Sequence, residues 1–156
     1  MSRRNISKKR FPPKDSVYSS YLVSLLIART IKSGKKSLAQ RIVNDVFDVI
    51  KVKTDTDPLY IFEKAVKNVT PNIEVRATRI GGSTYQVPVE VSGFRGTNLA
   101  LQWILKAAKA RSGKTFVIKL SNEIIDASKL VGNAIRKKEE THRMAEANKA
   151  FAHFKY

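Results

Sequence analysis

The sequence predicts a mainly α, single-domain protein: a helical bundle of about six helices with one protruding two-stranded β-hairpin and a basic N-terminal arm. Three observations carry this expectation. After Asp15, apolar residues recur at helical spacing along most of the chain. Between Pro71 and Ser92 the period changes from 3.6 to 2, and helical spacing resumes after Gly96. The 156 residues suit one domain of ordinary size and carry no internal repeat. Residues 1–14 are read as the arm and 15–156 as the helical domain, with the hairpin at about 72–92 and a polar C-terminal helix at about 133–151.

The arm holds Arg3, Arg4, Lys8, Lys9, Arg10 and Lys14, with Pro12 and Pro13 and no acid before Asp15. A solvated tail and an arm that orders on nucleic acid both fit this composition, and the second is the reading taken. The first helix is expected from Val17, with Tyr21, Leu22, Leu25, Leu26 and Ile31 on one face and Gly34 as its C-cap. The second buries Leu38, Ile42, Val43, Val46, Val49 and Ile50, while Lys36, Gln40, Arg41, Asn44, Asp48 and Lys51 lie away from that stripe. The third opens at Asp57-Pro58, an N-cap carboxylate before a proline whose missing N–H costs nothing there. Its core face is Leu59, Phe62, Ala65, Val66 and Val69.

In the hairpin, Ile73, Val75 and Ala77 alternate with Glu74, Arg76 and Thr78, and Tyr85, Val87, Val89 and Val91 answer them across a Gly81-Gly82-Ser83-Thr84 turn. Pro88 cannot donate to a ladder, so its strand has a free edge and the unit has two strands. A hairpin alone is marginal; its base must pack on helices while its tip projects. Leu99, Ala100, Leu101, Trp103, Ile104, Leu105, Ala107 and Ala108 are apolar nearly all round, as in a central helix, and Gly113 stops it. From Thr115 the signals conflict: Phe116, Val117 and Ile118 favour a strand, but Leu120, Ile124 and Ala127 continue a helical stripe, and a helix is expected. The last helix has almost no large apolar residue before Met144, and a Glu139–Arg143 pair at i, i+4 would add about 0.2–0.5 kcal/mol.

Thirty Lys and Arg against thirteen Asp and Glu leave a net charge of +17, with a pI near 10.3. Such a chain repels itself until a polyanion neutralises it, so nucleic acid is the first partner class and an anionic membrane surface the second. The longest uncharged run, Ser16 to Ala28, is well short of the roughly 20 residues of a membrane helix, and no apolar signal region precedes it, so no membrane and no export are expected. The acceptor patterns at Asn5 and Asn68 are read as chance.

With no cysteine, disulfides, thiolate metal sites and thiol nucleophiles are excluded. Gly113-Lys114-Thr115 lacks the second glycine of a phosphate loop, Ala108 standing in its place inside a helix. His142 and His153 lack metal-ligand spacing, and Glu139-Glu140 reads as helix surface. No catalytic residue, metal, cofactor or small-molecule substrate is therefore expected. What remains is distributed and basic: the arm, Lys35 and Lys36, Arg76, Arg79, Arg95, Lys109, Arg111, Lys114, and Arg136, Lys137 and Lys138. A major-groove reader concentrates such groups on one helix, whereas scattered patches on a compact body suit folded RNA.

Specific segments then carry a resemblance. They are Gly34-Lys35-Lys36-Ser37, Asp57-Pro58-Leu59, the run Gly81-Gly82-Ser83-Thr84-Tyr85-Gln86-Val87-Pro88-Val89-Glu90-Val91, and Thr141-His142-Arg143-Met144-Ala145-Glu146-Ala147-Asn148-Lys149-Ala150-Phe151-Ala152-His153. From about Asp15 onward the chain closely resembles the family of small-subunit ribosomal protein seven, of the bacterial and organellar type. The resemblance implies a non-enzymatic protein that binds the 3′ major domain of small-subunit rRNA and nucleates assembly of the head. It also implies that the hairpin and C-terminal helix lie near exit-site tRNA and messenger, with Gly81, Gly82, Ser83 and Thr84 at the tip. Small-subunit ribosomal proteins nine and eleven would be neighbours. Carried over, the arm, Lys35, Lys36, Arg76, Arg79, Arg95, Arg111, Lys114, Arg136, Lys137, Lys138 and Arg143 are candidate rRNA contacts. Met1-Ser2-Arg3-Arg4 and the stretch from Lys137 to Phe154 look most like the plastid branch, which implies the chloroplast stroma; the bacterial cytoplasm is the alternative. Thr78 and Gln102 stand where the family often has basic residues, and Ser92 to Gly96 is less basic than its counterpart. The rivals from other classes are an architectural DNA-bending protein and an RNA-modifying enzyme, the latter needing a cofactor pocket.

Overall fold

A computed structural model describes residues 11–154. The elements are α1 (Tyr21–Thr30), α2 (Lys36–Thr54), α3 (Pro58–Val69), β1 (Ile73–Ile80), β2 (Ser83–Glu90), α4 (Gly93–Ala110), α5 (Phe116–Ser128), α6 (Asn133–Ala147) and a terminal 3-10 helix, Lys149–Phe154. Six α-helices and one antiparallel hairpin are the expected architecture. Arg3, Arg4, Lys8, Lys9 and Arg10 lie outside the described residues.

All six helices contribute to one hydrophobic core, whose largest fully buried side chains include Phe47, Phe62, Leu26, Leu101 and Ile124. The hub is α5, which packs on α2, α3, α4 and α6. The β-favouring run Phe116-Val117-Ile118 is helical because Thr115 caps it, its hydroxyl accepting from the Ile118 N–H at 3.4 Å, and because Leu120, Ile124 and Ala127 are buried together only with helical spacing. By contrast α4 is less central than its apolar sequence suggests. Gln102, Lys106 and Lys109 make an exposed face, and Trp103 is half-buried.

Helix boundaries move. Val17 is exposed and precedes α1, where Asp15 instead organises the chain: its carboxylate accepts from the N–H groups of Val17 and Tyr18 at 3.0 and 3.2 Å. Gly34 is not the C-cap of α1, which is Ile31. Ser33 (φ +53°) and Gly34 (φ +74°) are the central residues of a tight turn closed by the Lys35 N–H on the Lys32 carbonyl at 3.2 Å. The last helix also ends earlier than expected, at Ala147, where Asn148 donates to the Met144 carbonyl and the backbone tightens into the 3-10 turn. The α6 surface carries a Lys137–Glu140 ion pair at 3.0 Å.

The buried stripe of α2 is rotated from the expected one. Ala39 and Phe47 are buried and Leu38 is 47% exposed, while Ile42 and Val49 are half-buried. Phe47 sits between Tyr18 and Phe62, with ring centroids at 4.8 and 5.6 Å.

The hairpin closes through only Gly81 (φ +56°) and Gly82 (φ +91°), both in the left-handed region a two-residue hairpin loop demands. Ser83 and Thr84, expected in the turn, are the first residues of β2. This loop fixes a register that pairs Arg76 with Val87 and Glu74 with Val89. The apolar rows of the two strands therefore lie on opposite faces rather than answering each other. Gly96 settles the base of the hairpin: a Cβ there would stand 2.9 Å from Thr70 Cγ2, so the first turn of α4 lies directly on the link from α3 to β1.

Candidate nucleic-acid interface

The turn after α1 places Arg29, Lys32, Lys35 and Lys36 within eight residues that contain no acid. Folding brings Lys109, on the last turn of α4, to the same place. The result is a groove of about 720 Å³ rimmed by Arg29, Lys32, Lys35 and Lys109, with Ile31, Leu38, Ile42, Leu105 and Phe116 as its floor. No carboxylate is among the described residues lining it, and none of the four cations is in an ion pair among the described residues. Arg29 instead donates to Asn98 Oδ1 at 2.7 Å, which aims it from α1 across to α4. Beside the groove α2 begins at Lys36 with no side-chain cap and no acid in its first turn, although the Lys35 and Lys36 N–H groups are already taken by the Lys32 and Gly34 carbonyls at 3.2 and 2.9 Å. Lys36 itself faces a neighbouring cleft with Lys14.

A third group forms on the α4–α6 side, where Lys106 and Lys137 line a groove of about 320 Å³ with Trp103 and Asn133. Arg136 and Arg143 on α6, Arg79 near the hairpin tip and Lys114 before α5 are exposed. Of the groups now assembled, Arg29, Lys32 and Lys106 were not among the residues singled out from sequence. The signal for the first two was present in the charge density of residues 29–36.

Other expected contacts are engaged by the protein itself. Glu74, nearly buried on β1, receives Arg95 Nε on both carboxylate oxygens at 2.8 Å and Arg76 at 3.5 Å. The two arginines and one carboxylate leave one net positive charge at the hairpin base. Hydrogen bonding to Glu74, and then its charge, raises the Arg95 pKa above its ordinary value. Arg111 turns inward, binding Glu123 through Nε and Asp126 through Nη2. Burial opposes its charge, but these hydrogen bonds and charges outweigh burial and its pKa is raised. Lys138 donates to the Asn68 carbonyl at the end of α3 at 2.6 Å. The Asn68 amide nitrogen is itself held by the carbonyls of Ala127 and Ser128, both at 3.0 Å.

The hairpin is tied to α6 by His142, whose Nε2 accepts the Asn72 N–H at 3.2 Å. That role requires a neutral ring. Burial, reinforced by Lys138, holds the His142 pKa below the ordinary histidine value. Neutral imidazole is thus the form the fold favours, and its contribution is complete above about pH 6.5 and lost as pH falls through the lower native pKa. An NMR titration should place the His142 midpoint below 6.5, with protection of the Asn72 amide from exchange lost over the same interval. A midpoint above 6.5 would contradict this geometry. Farther out, Phe151 of the 3-10 turn packs on Tyr85, centroids 5.4 Å apart, so this ring is placed against the hairpin.

Comparison with known proteins gives a consistent picture. Residues 1–149 match the family described as ribosomal protein S7p/S5e. The chain is 67% identical over 144 residues to the small ribosomal subunit protein uS7c of Trieres chinensis, covering 92% of this chain and 91% of the relative. It is 56% identical to the uS7 protein of Gloeothece citriformis and 57% identical to that of Acaryochloris marina, each over 156 residues and the full length of both chains.

Proposed function

Because this chain belongs to the ribosomal protein S7p/S5e family, we propose that it works as a non-enzymatic, RNA-binding constituent of the small ribosomal subunit. It binds the 3′ major domain of the rRNA and nucleates assembly of the head. The observation that carries the RNA contact is the groove rimmed by Arg29, Lys32, Lys35 and Lys109 with no acid in its lining. Four cations from the α1–α2 segment and α4 can each meet a phosphate without first breaking an internal ion pair. Exposed Lys36, Lys106, Lys114, Arg136 and Arg143 extend this surface over other faces of the bundle, so several RNA segments can converge on one rigid body.

Within this reading Arg76, Arg79 and Arg95, together with Lys137, add contacts around the hairpin and α6. Arg111 serves the fold, and Lys138 divides its role between the α3 terminus and RNA. The exposed tip residues Arg79 and Gly81 to Thr84 and the outer face of α6 are assigned to the vicinity of exit-site tRNA and messenger. Small-subunit ribosomal proteins nine and eleven are the proposed protein neighbours. The compartment proposed is the plastid stroma, on the similarity to uS7c, with a bacterial cytoplasm as the alternative on the similarity to the full-length uS7 relatives.

The test is binding of the purified protein, across a salt series, to a transcript of the 3′ major domain, a scrambled RNA of equal length and duplex DNA. Neutralising about six phosphates gives a log-log salt slope of about −4 to −5, at roughly −0.7 to −0.9 per contact, with saturable preference for the rRNA transcript. A slope near −1 rejects the multi-contact surface. Equal affinity for all three nucleic acids would put the DNA-binding rival ahead.

A further inference from the structure

We propose that the groove between the Lys32–Lys35 turn, α4 and α5 takes an unpaired RNA nucleotide, its base on the apolar floor and its flanking phosphates on the cationic rim. The proposal rests on the RNA-binding reading above and goes beyond it in naming what enters the groove. Phosphate binding alone explains the rim and leaves the floor unexplained. Leu38 is 47% exposed on the first turn of α2, although it continues an apolar stripe, and Ile42 and Phe116 beside it are half-buried. Apolar surface held open to water is costly where no partner covers it. At about 720 Å³ the groove lies within the roughly 300–1,000 Å³ range of small-ligand clefts.

The occupant follows from the pairing of the two surfaces. In a duplex the bases are stacked and covered, so the floor would find nothing apolar to meet. In an unpaired nucleotide the base face is free and a phosphate lies on either side of it. Cations disposed around an apolar floor match that arrangement. An acidic peptide would satisfy the same rim, and is kept as an outcome of the test.

The full-length protein would be titrated with a short oligoadenylate, an abasic ribose-phosphate oligomer of equal length, oligoglutamate and the 3′ major-domain transcript. Two variants, Leu38→Asn and Lys32→Ala with Lys35→Ala, would be titrated alongside. Oligoadenylate should bind about fivefold to a hundredfold more tightly than the abasic oligomer, the range for stacking one base. Leu38→Asn should erase most of that preference with an unchanged unfolding midpoint, since the residue is half exposed. The double lysine variant should weaken both oligomers together. Equal affinity for the adenylate and abasic oligomers, a preference untouched by Leu38→Asn, or oligoglutamate binding as tightly as oligoadenylate would each overturn the proposal. Binding to the transcript with no base preference sinks only the nucleotide slot, whereas failure to bind the transcript sinks the RNA reading itself.

Discussion

Replacing Arg111 with methionine should lower the folding stability by about 3–5 kcal/mol, the range for removing one partner of a buried ion pair. The carboxylate left behind, Glu123, is fully buried on α5, and its second oxygen accepts the Ala134 N–H at 2.9 Å. The arginine thus holds together the end of α4, the middle of α5 and, through Glu123, the start of α6. Gly132 belongs to the same arrangement: it stands at φ +105°, and a Cβ there would come within 3.1 Å of Glu123 Oε1. For a domain of this size the loss corresponds to a fall in Tm of roughly 10 °C. Adding Glu123→Gln to Arg111→Met removes both charges yet keeps an oxygen for Ala134, and should recover most of the loss. Thermal and urea unfolding of the two variants decide the matter. If Arg111→Met costs less than about 1 kcal/mol while weakening binding to the rRNA transcript, the residue is a phosphate contact and not a structural ion.

Phe47→Ala should be comparably severe, about 3–5 kcal/mol. The ring is completely buried between Tyr18 and Phe62, so its removal opens a cavity at the centre of the bundle and strips the segment before α1 of its anchor. Leu38→Ala, nine residues earlier on the same helix, should change stability by no more than about 0.5 kcal/mol because that side chain is half exposed. Urea titration of the pair is decisive: equal losses would place the α2 stripe where helical spacing alone puts it, through Leu38, Ile42 and Val49.

That contrast explains why parts of this fold were legible and others were not. A second helix through the stretch from Leu38 to Ile50 follows from periodicity, but several phases of the stripe are compatible with so apolar a segment. Phe47 is selected by the aromatic neighbours that α3 and the Tyr18 loop supply. The hairpin behaves likewise. Its existence follows from the period-2 run and the glycine pair, whereas its register follows from a loop of only two residues, which sets Val87 against Arg76 and sends the two apolar rows to different faces. The candidate interface was legible as an inventory of cations. Its organisation was not, because Lys109 reaches the Lys32–Lys35 turn only when α4 lies beside α1.

Element order follows from local periods and caps that act within a few residues of the chain. Its charge determined the class of partner, and its motifs around the hairpin and α6 determined the family. Which cations pair internally and which stay unpaired was set by the packing of the helices and hairpin. Nothing along the sequence separates Arg95 and Arg111 from Lys35 and Lys109 as available cations, yet carboxylates 21, 12 and 15 residues away occupy the first two and, among the described residues, none pairs with the others. Helical and strand patterns are properties of neighbours along the chain, while charge pairing at hydrogen-bond distance is a property of neighbours in space. A Lys or Arg that the fold leaves without a carboxylate can meet a phosphate without first giving up an internal ion pair.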